Sequence, residues 1–442
     1  MNRFLLILLI MVSQRTWSQQ AWSLNNCINY AIDHNHQVNH AKLEERQGEI
    51  AYQQSKWNYL PGISGGSDAN MKYGRSVDPN TNAYVDQSFF ANDYYINASM
   101  EVFQGFSQHN QVLYHKFKRE AAGFNTAKAC DDLAFQVMNA YFDVVYFEAL
   151  LEIARQQKES SMVNHQKTLS MTNLGLKSEA DLLEVKANME KDELFLLQTE
   201  NKLLLARIAL KKAMNLPAGE EIVLSHQAGE LVEPPLGSQP ADLLFEKFNQ
   251  WSPEVLALEK ELKAAQKNIR INQANYLPSV TLMASYSTGF YETNKDQYNQ
   301  TIPFKEQLKN NRGQFLGARL SVPIFSRNEL RNNVRKSKLL SDQAENRLEE
   351  IRKALLFDIT YDLSELTALH KEVGQSRVQL EADRLAYQAV QKKYDKGLVG
   401  VIEFFTAKNR LANTETQYLR ARLTYEVKCR VAQFYNGTRF WE

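Results

Sequence analysis

Residues able to do chemistry are present in this chain, but few are spaced for it. His36 and His40 stand four apart, with Glu44 one turn further on. On a helix that spacing lines the three up in a single row, and a row cannot surround an ion tetrahedrally, so no metal site is expected. Cys27, Cys130 and Cys429 are too far apart for metal spacing or a disulfide framework and read as buried free thiols. There is no glycine loop of phosphate-binding type, and no Ser/His/Asp or paired-carboxylate set follows from spacing. The chain is therefore not read as an enzyme, and no cofactor is expected. The acids that stand out are Asp181 and Glu403, each six residues beyond a glycine, Gly175 and Gly397. Gathered around an axis, such acids form a carboxylate ring and a cation-selective constriction. Placed singly in a first helical turn, they only complement the positive helix N-terminus. Glu184 adds a second acid after Asp181, whereas Thr406 stands at the corresponding place after Glu403. The basic run Lys392, Lys393 and Lys396 reads as a solvated face.

The bulk composition narrows the class. With 442 residues, 52 basic and 51 acidic, the net charge of +1 gives no reason to invoke nucleic acid or another polyanion. Only 18 glycines and 10 prolines punctuate the chain, so few turns and long elements are expected. Arg3, the apolar run from Phe4 to Val12, and the small residues Thr16 and Ser18 before Gln19 read as a secretory signal over residues 1–18. That run falls far short of the roughly 20 residues of a transmembrane helix. No other long apolar stretch follows it, so a helical membrane protein is excluded.

The elements that must carry these residues are written twice. Asn58-Tyr59-Leu60-Pro61 recurs as Asn275-Tyr276-Leu277-Pro278, from 58 to 275, an offset of 217. Phe103, Asn110, Val112, Gly175-Leu176 and Lys186 recur as Phe325, Asn332, Val334, Gly397-Leu398 and Lys408, each at an offset of 222. The expected organisation is a first repeat over 19–216, a linker over 217–252 marked by Pro234, Pro235, Gly237 and Pro240, and a second repeat over 253–442. Within each repeat the spacing predicts a helix (24–56 and 253–275), a β-hairpin, a very long helix (107–173 and 327–396) and a return helix (178–215 and 401–436). In the second long stretch, apolar residues from Ala344 through Leu348, Ile359 and Leu366 to Val373 recur at about 3.6 residues, the period of one buried helical stripe. In the first, Leu133, Val137, Tyr141, Val144 and Leu151 do likewise. At 1.5 Å per residue, a helix of some 65 residues is on the order of 100 Å long.

Around the two prolines the period changes to 2. Tyr94, Ile96, Ala98, Met100 and Val102 alternate with polar residues, as do Val280, Leu282, Ala284 and Tyr286, and Leu316 to Ile324. Polar loops are expected at 74–88 and 288–313, and a short strand at 222–224. Four strands cannot close a useful barrel, and an open sheet has two unpaired edges. In a membrane those edges would leave backbone groups unsatisfied at several kcal/mol each. Three copies would supply twelve strands, an even number suited to a bacterial barrel.

Two tandem copies of helix, Asn-Tyr-Leu-Pro, hairpin, long helix, Gly-Leu turn and return helix resemble the TolC-like outer-membrane efflux protein family over about residues 22–436. Gly175-Leu176 followed by Asp181-Leu182-Leu183, and Gly397-Leu398 followed by Glu403-Phe404-Phe405, are similar to that family's helix-tip motif. The resemblance implies a mixed α and β membrane protein, with an outer-membrane β-barrel and a long periplasmic α-helical barrel formed by a homotrimer. It implies docking of the tips at Gly175, Leu176, Gly397 and Leu398 to a periplasmic adaptor protein and an inner-membrane transporter. Substrates would leave unchanged through the lumen, in an efflux or type I secretion system, past a gate at Asp181, Glu184 and Glu403. The competing expectation is a periplasmic coiled-coil rod or adaptor arm, which shares the long helices but needs no alternating hairpins.

Overall fold

The computed structural model describes residues 21–77, 82–86, 88–225 and 240–441. The expected signal sequence at 1–18, together with Pro234, Pro235 and Gly237, lies outside the described residues. In chain order the elements are α1 (Leu24–His34), α2 (His36–Trp57), β1 (Gly62–Lys72), β2 (Arg75–Val77), β3 (Tyr84–Asp86), β4 (Phe89–Gln104), α3 (Ser107–Asn173) and α4 (Glu179–Met214). The second half contributes α5 (Ala241–Trp251), α6 (Pro253–Ala274), β5 (Ser279–Tyr291), α7 (Phe304–Asn310), β6 (Gly313–Ser321), α8 (Glu329–Asp395) and α9 (Val401–Tyr435). The chain falls into two compact units, one taking residues up to Leu43 with Phe124–Leu256 and Glu350–Glu442, the other Glu44–Gly123 with Ala257–Glu349.

Element bounds repeat at the offsets seen in the letters. Helix α3 runs from 107 to 173 and α8 from 329 to 395, both 67 residues and 222 apart at each end. Helices α1 and α2 match α5 and α6 at 217, from 24 to 241 and from 57 to 274. The spacing predicts one helix over 24–56 and a linker with a short strand over 217–252; the structure has two helices in the first and a helix at the end of the second. Asn35 breaks the first helix, because its side-chain Oδ1 accepts from Gln37 N at 2.7 Å and caps the next helix while its own backbone is extended. Its amide also donates to Ala213 O at 3.0 Å, tying the break to α4. In the second repeat, α5 occupies the end of the expected linker, and Pro253 then opens α6, where its missing N–H costs nothing.

The helical unit has one principal core. Leu133, Val137, Tyr141, Val144, Leu151 and Ala154 of α3 are buried in it with Ile28 and Ala31 of α1, Leu210 and Met214 of α4, and Ile359, Leu366 and Val373 of α8. The stripe read at a 3.6-residue period is thus the one that faces inward. Burial pushes the Cys27 thiol in this core up to about 12, so it is held as an inert thiol. Trp22 adds a bridge to the short extended segment at 222–224, with Trp22 N donating to Val223 O at 2.8 Å.

The other unit is built on a four-stranded antiparallel sheet in the order β1-β4-β5-β6, so β1 and β6 are its edges. Register places Ile96 opposite Tyr286, Ala98 opposite Ala284 and Met100 opposite Leu282, with Ala284 opposite Leu316 in turn. That face is apolar and bare: Ile96 is 55% exposed, Leu316 84% and Leu320 66%. The opposite face carries Asn97, Ser285, Glu101, Thr281 and Arg319. Strand β6 stops at Ser321, short of the alternation expected to run to Ile324, because Pro323 has no N–H for the ladder. The loop expected over 288–313 is shorter and partly helical. Strand β5 continues to Tyr291, and α7 is fastened by the buried Gln307, whose amide donates to Tyr291 O at 3.0 Å and Ile302 O at 2.8 Å.

Each final strand hands over to its long helix through two left-handed residues, Gly105 and Phe106 (φ 58 and 66), then Arg327 and Asn328 (φ 49 and 63). A methyl on Gly105 would lie 2.6 Å from Ala274 O and 2.7 Å from Leu277 Cβ, whereas one on Gly374, inside α8, meets nothing within 4 Å. Gly105→Ala should therefore lower the thermal midpoint of the purified protein, combining left-handed strain with an overlap that costs about 1–3 kcal/mol. Gly374→Ala should raise stability by roughly 0.5–1 kcal/mol. Equal shifts in a paired thermal melt would contradict this.

Candidate functional site

The candidate site is the pair of helix tips and the charged groups packed just behind them. Helix α3 ends at a Schellman motif: Gly175 N donates to Thr172 O at 2.9 Å and Leu176 N to Met171 O at 2.9 Å, with Gly175 at φ 73. Helix α8 ends the same way, Gly397 N to Tyr394 O at 3.0 Å and Leu398 N to Lys393 O at 2.9 Å, with Gly397 at φ 71. Glycine is needed at both because a side chain in the left-handed region is strained, and not for lack of space, since both tips are open. The residue after such a glycine commonly folds back on its own helix. Here Leu176 stays 71% exposed and Leu398 70%.

The two acids after the tips lie on separate helices and differ in what they do. Ser178 caps α4, its hydroxyl accepting from Asp181 N at 3.1 Å, and the Asp181 carboxylate accepts back from Ser178 Oγ at 2.9 Å and Ser178 N at 3.4 Å. This is a capping box. Glu403 has no such partner: Gly400 begins α9 without a side-chain cap, and Glu403 points its first-turn charge into solvent. Glu184 is half-buried one turn beyond Asp181. The base of the tips is held by a small apolar cluster of Val185, Tyr394, Val401, Phe404 and Phe405, with the Tyr394 and Phe404 rings stacked 4.6 Å apart. Lys167 pairs with Asp395 at 2.7 Å beside it. Lys392, Lys393 and Lys396 are exposed. Of the histidine row, His36 lies 3.4 Å from the Asn215 amide, and among the described residues no three metal-ligating side chains converge.

Sequence spacing did not single out the strongest electrostatic feature. Lys408 of α9 is 2% exposed, and its ammonium donates to Asp192 Oδ2 at 2.7 Å, Ser161 Oγ at 2.5 Å and Gln157 O at 2.8 Å. Ser161 donates in turn to Asp192. Burial pulls the Lys408 ammonium below its ordinary range, and the Asp192 carboxylate works against that loss of charge. In the second repeat, Asp383 accepts from Thr414 Oγ1 at 2.8 Å and pairs with Arg410 at 2.9 Å. Higher on the same helix, Lys428 lies 2.7 Å from Asp362 and 2.6 Å from Glu365. Burial opposes its charge, but the two carboxylates prevail and hold it above the ordinary lysine range. Lys408 was visible in the letters only as a register mark, the repeat of Lys186.

Removing one partner of a buried pair leaves the other uncompensated, at about 3–5 kcal/mol, whereas replacing the whole set by apolar groups is near neutral. Lys408→Met should thus destabilise the helical unit strongly, and the triple variant Lys408→Met, Asp192→Leu, Ser161→Ala should recover most of the loss. Denaturant melts followed by circular dichroism read both; a triple variant no better than the single one would contradict the pairing.

Known proteins carry the same fold and the same sequence pattern. The sequence profile described as outer membrane efflux protein matches residues 27–216 and 244–428, most of the chain. The outer membrane protein TolC of Vibrio cholerae is 22% identical over 336 residues, covering 75% of this chain and 73% of its own length. The toluene efflux pump outer membrane protein TtgF of Pseudomonas putida is 22% identical over 223 residues, and the match spans only 42% of that relative. Among solved structures, the Campylobacter jejuni CmeC outer membrane channel superposes with a TM-score of 0.81 at 16% identity, over 94% of this chain and 86% of its own. The outer membrane protein VceC of Vibrio cholerae gives 0.77 at 15% identity, over 92% and 95%. The chain belongs to the outer membrane efflux protein family, whose members are outer-membrane channels and not enzymes.

Proposed function

We propose that three copies of this chain close into a single passive exit duct through the outer membrane, serving a tripartite efflux or type I secretion system. The observation that carries the reading is the sheet. It has an exposed apolar face suited to lipid, a polar face suited to a lumen, and two open edges that a lipid environment does not tolerate. A homotrimer supplies twelve strands and ends both problems. The coiled-coil rod has no use for such a sheet.

The repeat offsets support one register for the meeting of the edges. Within the chain, Asn97 of β4 stands opposite Ser285 of β5. The counterpart of Asn97, 222 residues on, is Arg319 in β6, and the counterpart of Ser285, 217 residues back, is Asp68 in β1. Pairing β6 of one copy with β1 of the next in the same way sets Arg319 opposite Asp68, on the polar face, with opposite charges.

At the other end of the long helices, the bare leucines Leu176 and Leu398 beside Gly175 and Gly397 suit docking to a periplasmic adaptor, which in turn meets an inner-membrane transporter. Asp181, Glu184 and Glu403 would form the gate, concentrating cations at the mouth. Within that gate Glu403 is the leading carboxylate, because Asp181 is turned onto its own helix cap.

With the three cysteines replaced, Asp68→Cys and Arg319→Cys on one chain should give covalent dimers and trimers with a short bifunctional thiol reagent in outer membranes. Monomers alone would refute the closure. In planar bilayers under a salt gradient, Glu403→Gln should move the reversal potential toward zero cation preference, and Asp181→Asn should move it less. Unaltered values for both would mean that these acids only stabilise helix ends, at about 0.3–1 kcal/mol each.

A further inference from the structure

The buried lysine pocket has a duplicate that no lysine of the same chain enters, and both the acceptors and the matching lysine are on this chain. Four positions define the filled one: the carbonyl of Gln157 and the hydroxyl of Ser161 on α3, the Asp192 carboxylate on α4, and the Lys408 ammonium that enters from α9. Moved by 222, the acceptors become Gln379, Asp383 and Thr414 (157 to 379, 161 to 383, 192 to 414). The hydroxyl and the carboxylate have exchanged helices, but the pair is intact, since Thr414 Oγ1 donates to Asp383 Oδ2 at 2.8 Å. Both remain buried, Asp383 at 9% exposure and Thr414 at 2%. The lysine moved back by 222 is Lys186, on α4.

Lys186 cannot serve its own repeat's pocket, which Lys408 fills. It is exposed and has no ion-pair partner among the described residues. The surface around it tells the same story. Phe405, one turn before Lys408, is 4% exposed, while its counterpart Leu183 is 61% exposed. One helix face is therefore covered in the second repeat and bare in the first. What covers it in the second repeat is the first repeat of the same chain. The remaining acceptor set belongs to the second repeat, so the matching contact runs from the first repeat of one copy to the second repeat of another.

We infer that Lys186 of one copy inserts between the Gln379 carbonyl, the Asp383 carboxylate and the Thr414 hydroxyl of a second copy, repeating between chains the contact that Lys408 makes within one. This rests on the channel reading for the number of copies, but names a contact that reading does not contain. Arg410, on Asp383 Oδ1 at 2.9 Å with its side chain 55% exposed, shares the carboxylate from the solvent side. The contact is heterologous, donor on one repeat and acceptor on the other, so it repeats from copy to copy and fits the closed ring of the channel reading.

The full chain, extracted from outer membranes in detergent, tests it. A photoreactive benzoylphenylalanine at position 186 should form an adduct between copies, and mass spectrometry should place it in the peptides holding Gln379–Asp383 or Thr414. Lys186→Glu should lower the temperature at which oligomer dissociates to monomer on gels, by several degrees, because it sets a like charge against Asp383. Adding Asp383→Asn to Lys186→Glu should restore part of the loss. Lys191→Glu should change nothing, since residue 191 and its counterpart Asn413 are exposed in both repeats. Adducts elsewhere, or to a different protein, together with a neutral Lys186→Glu in an intact trimer, would overturn the contact and leave the channel reading standing. A monomer in the unaltered protein would overturn both.

Discussion

Every backbone N–H and C=O at the edge of a sheet must find a partner, and in lipid there is no water to provide one. The β1-β4-β5-β6 sheet leaves about half the backbone groups of its edge strands, eleven residues in β1 and nine in β6, facing outward. Its apolar face forbids solving the problem in water, and its strand count forbids solving it within one chain. The closure proposed above, by further copies of the chain, answers both constraints. The rest of the molecule is consistent with repetition about an axis: matched pairs of helices, matched tips, and matched junctions from strand to helix.

The repeats are not identical, and the differences are informative. The first tip is stabilised by a capping box at Ser178 and Asp181; the second begins at Gly400 and relies on Phe404, Phe405 and Tyr394 packed around Val185. The first repeat keeps Gly105 where the strand meets the Ala274 carbonyl and the Leu277 side chain, while the second has Arg327 at the same left-handed position. Buried charges sit where the two helical hairpins meet, with Lys408 satisfied by three acceptors. Such a set adds little net stability, because desolvation offsets most of the Coulomb attraction. What it does is fix the register of one hairpin against the other, since sliding by one turn would leave Asp192 buried without a cation.

Much of this was legible in the sequence because long elements advertise their period. The 3.6-residue stripe of α3 and α8 and the alternation around Ile96, Leu282 and Leu316 each persist over many residues. The doubled Asn-Tyr-Leu-Pro and Gly-Leu marks fixed the offsets. Three features were not legible. The break at Asn35 depends on a side chain that caps one helix and reaches Ala213 O, 178 residues away. Helix α5 was hidden beneath the proline-rich composition next to it, although its match to Leu24–His34 at 217 was available. Helix α7 is only seven residues and exists because Gln307 is buried by tertiary contacts. At the site, spacing located the tips and their acids but could not tell that Asp181 would turn onto Ser178 and Glu403 would not. The Lys408 pocket is formed by residues from three helices, and its only trace in the letters was the offset of 222 itself.

Amide hydrogen exchange on the protein in lipid bilayers tests the central claim most directly, because it reads the edge hydrogen bonds one strand at a time. If copies close the sheet, amides of β1 and β6 should exchange as slowly as those of the central strands β4 and β5. Fast exchange confined to alternate residues of β1 and β6, with β4 and β5 protected, would mean that the edges stay open and that this chain does not close a barrel.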